Sequence, residues 1–89
     1  MHVEMPENLL VPTVNDIMQD SACGKIYRIK GFMHGSNGWI ELNATREKTN
    51  ILPINSGQAI FIVIGDDVNL EAIDKKFKAV NTSGKYVSI

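Results

Sequence analysis

The amino-acid sequence predicts an α+β fold, a two-layer sandwich in which a mainly antiparallel sheet of four to five strands carries two helices on one face. Three observations predict it: two segments with apolar residues at helical spacing, several turn-bounded segments with alternating or continuous apolar residues, and the order in which they occur, β-α-β-β-(β)-β-α.

At the amino terminus, His2 and Glu4 alternate with Val3 and Met5, which predicts an edge strand with Val3 and Met5 inward. Leu10, Val14, Ile17 and Met18 then line one helical face, giving a helix over 12–21 with Pro12 tolerated in its first turn. Gly24 suits the left-handed turn that closes such a helix. From Lys25 the pattern changes to period two. It places Tyr27, Ile29 and Met33 on one side of a strand and Ile26, Arg28, Lys30 and Phe32 on the other.

Gly35-Ser36-Asn37-Gly38 reads as a hairpin loop, followed by a strand over 39–46 with Ile40, Leu42 and Ala44 on one side. Ile51 to Ile54, interrupted by Pro53, reads as a short edge strand, and Asn55-Ser56-Gly57 as a turn. Ala59 to Ile64 is apolar at every position, which predicts a strand in the middle of the sheet buried on both sides. Either Ile60, Ile62 and Ile64 or Phe61 and Val63 would pack against Leu70, Ile73, Phe77, Val14 and Ile17. A second helix follows, capped by Asn69 and carrying Leu70, Ile73, Phe77 and Val80 at its apolar spacing. The tail 82–89 is expected either to add a last strand or to fray.

With 89 residues, 44% hydrophobic and 21% charged, residues 1–89 amount to one domain with a single core. A formal net charge of -1 supplies no overall field for DNA, RNA or an acidic membrane. One cysteine, Cys23, cannot form an intramolecular disulfide, and the first residues lack the pattern of a signal peptide, so a cytoplasmic location is expected. The longest apolar run, Ala59 to Ile64, is far short of the roughly 20 residues of a membrane span.

Gly24-Lys25-Ile26-Tyr27-Arg28-Ile29-Lys30-Gly31-Phe32 resembles the G-x-[IV]-x-R-x-K-G-[FY] signature that opens the carboxy-terminal domain of the CobW family of P-loop GTPases. Downstream, Phe61-Ile62-Val63-Ile64-Gly65, the Asp66-Asp67 turn and the segment from Val68 to Phe77 are similar in type and order to the end of that domain. The resemblance runs from Pro6 to Phe77. It implies an accessory domain tied to metal handling or cobalamin biosynthesis, partnered with a P-loop GTPase domain or subunit, or with itself. The chain has no G-x-x-x-x-G-K-[ST] loop and no Cys-x-Cys-Cys motif, so GTP hydrolysis is not carried over. Whether the domain is free-standing or part of a longer protein is left open.

Arg28, Lys30 and Phe32 share one predicted strand face, where they suit a partner surface: a planar fork, a point charge and an apolar anchor. One bland reading gives the two cations a solvated face, with their stems covering Phe32. Another lays Tyr86, Val87 and Ile89 of the tail over the stripe, so that Arg28 and Lys30 merely flank an internal contact. Lys30-Gly31-Phe32 also has the look of a base-stacking strand, so a small module for RNA or an anionic ligand is the alternative. For zinc or cobalt the soft donors are His2, Cys23 and His34, with Glu4 on the same strand side as His2. They have no tight ligand spacing, so the expectation is that no cofactor is bound. Asp66 and Asp67 read as turn chemistry, and no nucleophile and base pattern suggests an enzyme.

Overall fold

The computed structural model describes residues 1–88. After a short 3-10 turn at Glu7–Leu9, helix α1 spans Leu10–Gln19, and a second 3-10 turn at Ser21–Cys23 leads into strand β1, Lys25–Gly35. Strands β2 (Gly38–Thr45), β3 (Thr49–Pro53) and β4 (Ile60–Asp66) follow, and helix α2 spans Leu70–Val80. The strands form one antiparallel sheet in the order β3-β2-β1-β4. This is the predicted α+β sandwich.

Helix α1 buries Leu10, Thr13, Val14, Ile17 and Met18 on one stripe, and α2 buries Ile73 and Phe77. Both stripes close onto Val3, Met5, Ile26, Ile29, Met33, Leu42, Ala44 and Phe61 in a single core. Asn69 caps α2 as expected, its Oδ1 accepting from the Ala72 N–H at 3.2 Å. Helix α1 starts two residues earlier than predicted and ends at Gln19. There Asp20 leaves helical geometry and its side chain accepts from the Ala22 N–H, starting a new turn. Gly24, with φ 103°, closes that turn, and any Cβ there would stand 2.4 Å from the Asp67 carbonyl oxygen. Across the layer of helices, Lys76 Nζ of α2 bridges Asp16 at 2.8 Å and Asp20 at 3.0 Å. The backbone N–H of Ala22 first, and Lys76 second, hold the Asp20 carboxyl below the usual range.

Several expectations need correction. The Ala59–Ile64 segment is not the middle of the sheet; β1 and β2 are, and β4 is hydrogen-bonded to β1 alone among the named strands. It is buried on one side only: Phe61 is 1% exposed, whereas Ile62 and Ile64 are 47% and 49% exposed. With both helices under one face, no element among the described residues forms a third layer over the other. Leu70, predicted to meet this strand in the core, is exposed at the start of α2.

Strand β1 does not alternate strictly either. Its register against β4 shifts between Ile26 and Arg28, so Ile26 joins Ile29 and Met33 inside while Tyr27 turns outward. At the amino terminus, Val3 and Met5 face inward as predicted, but instead of an edge strand there are isolated rungs. Met1 exchanges both backbone bonds with Phe61, at 2.9 and 2.7 Å, and His2 bridges Val87. The Met1 amine, partly withdrawn from water there, has its pKa lowered mainly by burial.

Finally, the tail does not cover the Arg28 and Lys30 stripe. Tyr86 packs against the core and donates its hydroxyl to Asp74 Oδ1 of α2 at 2.5 Å, Ser88 bonds the same carboxylate, and Val87 lies beside His2. Ile89, the third residue of that expectation, lies outside the described residues.

Candidate functional site

The face of the sheet opposite the helices is the candidate site. On β1, positions 28, 30 and 32 alternate with the buried Ile29, Gly31 and Met33, so Arg28, Lys30 and Phe32 point outward together as predicted. Cross-strand register sets Ile64 beside Arg28, Ile62 beside Lys30 and Ile60 beside Phe32. On the other flank, Asn43 pairs with Lys30 and Glu41 with Phe32, and Leu52 of β3 lies beyond Glu41. The result is an aliphatic ridge on β4, a cationic line on β1 and an amide and carboxylate line on β2.

The guanidinium of Arg28 donates to Asn43 Oδ1 at 2.8 Å, and Asn43 Nδ2 donates to Glu41 Oε1 at 2.8 Å. This chain fixes the fork while leaving Arg28 exposed. The Lys30 Nζ stands 5.5 Å from the centroid of the Phe32 ring. Among the described residues neither Arg28 nor Lys30 has a carboxylate at salt-bridge distance, since the ion pairs found are those of Lys76. At the end of the face, Tyr27 donates its hydroxyl to Asp66 Oδ2 at 2.5 Å, and the adjacent carboxylate raises the phenol pKa. Asp66 thus serves as an acceptor at the strand end, and Asp67, with φ 50°, makes the turn.

Phe32 is half-buried by the β3–β4 loop. A side chain at Gly57 would stand 3.3 Å from Ile54, 3.6 Å from Trp39 and 3.8 Å from Phe32, so the glycine backbone lies close over these three. The Phe32 and Trp39 end of the face is thus partly covered by the chain itself, and the open remainder sets the β4 isoleucines beside Arg28 and Lys30. Gly31, beneath the face, has a role that the sequence pattern did not reveal. A Cβ there would stand 2.3 Å from the Phe61 ring, so this position is a glycine for space, with no unusual backbone angle.

The soft donors are not brought together. Cys23 lies fully buried before β1 and His34 lies exposed near its far end, where its ring meets Trp39 edge-on at 5.4 Å. Nine residues of strand at about 3.3 Å each separate Lys25 from His34 by about 30 Å. His2 is engaged through its backbone with Val87, and Glu4 through its backbone with Asn81 and Thr82. Among the described residues no group of three or more His, Cys, Asp or Glu side chains is arranged to hold a metal. Burial, followed by the charge of Asp20, pushes the Cys23 thiol pKa up, which disfavours the thiolate that a soft metal takes.

Comparison of the chain with protein-family models, with curated proteins and with solved structures gives no match. No helix among the described residues is long and apolar enough to cross a membrane.

Proposed function

We propose that this chain is a non-catalytic binding domain that docks a partner protein through the open face of its sheet. The observation that carries this reading is the exposed Ile62 and Ile64 ridge lying directly beside Arg28 and Lys30, on a face that neither helix nor the described part of the tail covers. An exposed aliphatic strip next to two cations that have no carboxylate partner among the described residues suits a surface that brings apolar side chains and carboxylates together. The resemblance of residues 24–32 to the CobW signature suggests a P-loop GTPase domain or subunit as that partner, in the cytoplasm and in the service of metal handling or cobalamin biosynthesis.

RNA or a small anion is the weaker reading of the same face. Base stacking uses exposed aromatic rings. Here Phe32 is half-buried beside the Gly57 loop, the exposed Tyr27 ring is tied through its hydroxyl to Asp66, and the exposed residues flanking Arg28 and Lys30 on β4 are isoleucines.

Titration calorimetry of the pure protein against a CobW-type GTPase domain, and separately against a single-stranded oligoribonucleotide, tests the proposal. Binding to the GTPase domain that is lost in the Arg28→Ala/Lys30→Ala protein, with its melting temperature unchanged, is the expected result. Oligoribonucleotide binding through the same two residues would replace the reading with the nucleic-acid one. Unchanged GTPase binding in the double variant would refute the assigned face.

A further inference from the structure

The sheet has two edges, and they are treated differently. On the β4 side, Met1 occupies both backbone groups of Phe61, and the tail is laid beside His2. On the β3 side, no described segment pairs with the strand. The Thr45 N–H donates to the Lys48 carbonyl at 2.9 Å and the Ile54 N–H to the Trp39 carbonyl at 3.0 Å, which places the even-numbered residues of this segment in the β2 ladder. By alternation, the backbone groups of Thr49, Ile51 and Pro53 point away from the sheet.

This edge has little of the usual protection. The seventeen residues from Thr49 to Gly65 contain no charged side chain, so β3 has no lysine or glutamate guard. Apolar side chains stand exposed on both of its faces: Ile51 is 40% exposed on the helix side, beside Leu42, and Leu52 is 58% exposed on the open side. Pro53 is the one blunting residue, and it limits rather than forbids pairing. It lacks an N–H but keeps its carbonyl, so a strand can be added over 49–53 in a register that asks Pro53 only to accept.

We propose that β3 pairs antiparallel with β3 of a second copy of this chain, about a two-fold axis at Ile51. In this register the Ile51 N–H and carbonyl of each copy bond those of the other, and the Thr49 N–H of each donates to the Pro53 carbonyl of the other. Four backbone hydrogen bonds form, and no donor is demanded of Pro53. The Ile51 side chains meet across the axis, each Leu52 lies beside the other copy's Asn50, and no like charges face each other because the strand has none. The two sheets join into one of eight strands. A five-residue edge buries well under the roughly 1,200–2,000 Å² of a stable standard interface, so the dimer is weak and forms in a concentration-dependent way. This inference is independent of the proposed partner on the open face, since it uses the β3 backbone and not Arg28 or Lys30.

Sedimentation velocity on the whole chain over a wide concentration range tests it. The parent protein is expected to move from monomer towards dimer as its concentration rises, and Arg28→Ala/Lys30→Ala is expected to do the same. Ile51→Lys and Ile51→Glu each set like charges opposite each other and are expected to stay monomeric alone, at a half-exposed position where circular dichroism should report an unchanged fold. An equimolar mixture of the two pairs opposite charges at the axis and is expected to restore the dimer. A parent that stays monomeric at the highest concentration, a dimer indifferent to Ile51→Lys, or a mixture that fails to reassociate would each overturn the proposal.

Discussion

The contact between Gly31 and Phe61 gives the strongest test of how this core is built. Phe61 is 1% exposed, its ring centroid is 5.3 Å from that of Phe77, and it fills the space that a side chain at position 31 would need. Burying a phenylalanine removes roughly 150–250 Å² from water. At about 25 cal/mol per Å² that area corresponds to about 4–6 kcal/mol, and such truncations typically cost about 3–5 kcal/mol. Phe61→Ala is therefore expected to lose about 4 kcal/mol, which in a domain of this size lowers the melting temperature by about 15–30 °C.

Gly31→Ala perturbs the same contact from the other side. Its methyl must displace the ring, at a cost of about 1–3 kcal/mol. In the Phe61→Ala background the ring is gone, and Gly31→Ala should become neutral or slightly stabilising through the restricted unfolded chain. Urea unfolding of the four proteins closes the cycle, with an expected coupling of at least about 1 kcal/mol. Costs that simply add would show that the ring does not occupy the space over Gly31, and a Phe61→Ala protein melting within a degree or two of the parent would refute the core assignment of β4.

Two further predictions concern titratable groups. Burial first, and the hydrogen bond to Asp74 second, raise the Tyr86 phenol pKa above its ordinary value. A group whose pKa is raised by folding contributes stability below its unfolded value, about 10, and loses it as pH rises towards the folded value. Tyr86→Phe should therefore cost about 1 kcal/mol near neutral pH and flatten the fall in melting temperature at alkaline pH; an unchanged alkaline profile would show that the tail clasp is absent in solution. Cys23 is fully buried with its thiol pKa raised, so a disulfide reagent should label it slowly in the native protein and rapidly in denaturant. Fast labelling of the native state would mean that the 3-10 turn at Ser21–Cys23 opens readily.

Much of the architecture was legible in local pattern because local physics sets it. Asn69 can cap α2 wherever the helix packs, Gly35 to Gly38 closes a hairpin by its own backbone freedom, and the 3.6 and 2.0 periodicities mark which stripe of α1, β2 and α2 goes inside. The shared outward face of Arg28, Lys30 and Phe32 was likewise readable, because alternation holds from position 28 onward. What Tyr27 and Ile26 do was not, since the bulge that moves them arises from pairing with β4.

The burial of Ala59–Ile64 was decided by the tertiary arrangement alone. Six consecutive apolar residues say that a strand forms but not how many layers cover it; with both helices under one face, Phe61 and Val63 turn towards them and Ala59 is buried too, while Ile62 and Ile64 remain in water. The predicted two-layer architecture already implied an open face, and hydrophobicity read residue by residue obscured it. Gly31 is the counterpart among small residues: it is required by the Phe61 ring brought close from a distant part of the chain, and no local pattern encodes that approach.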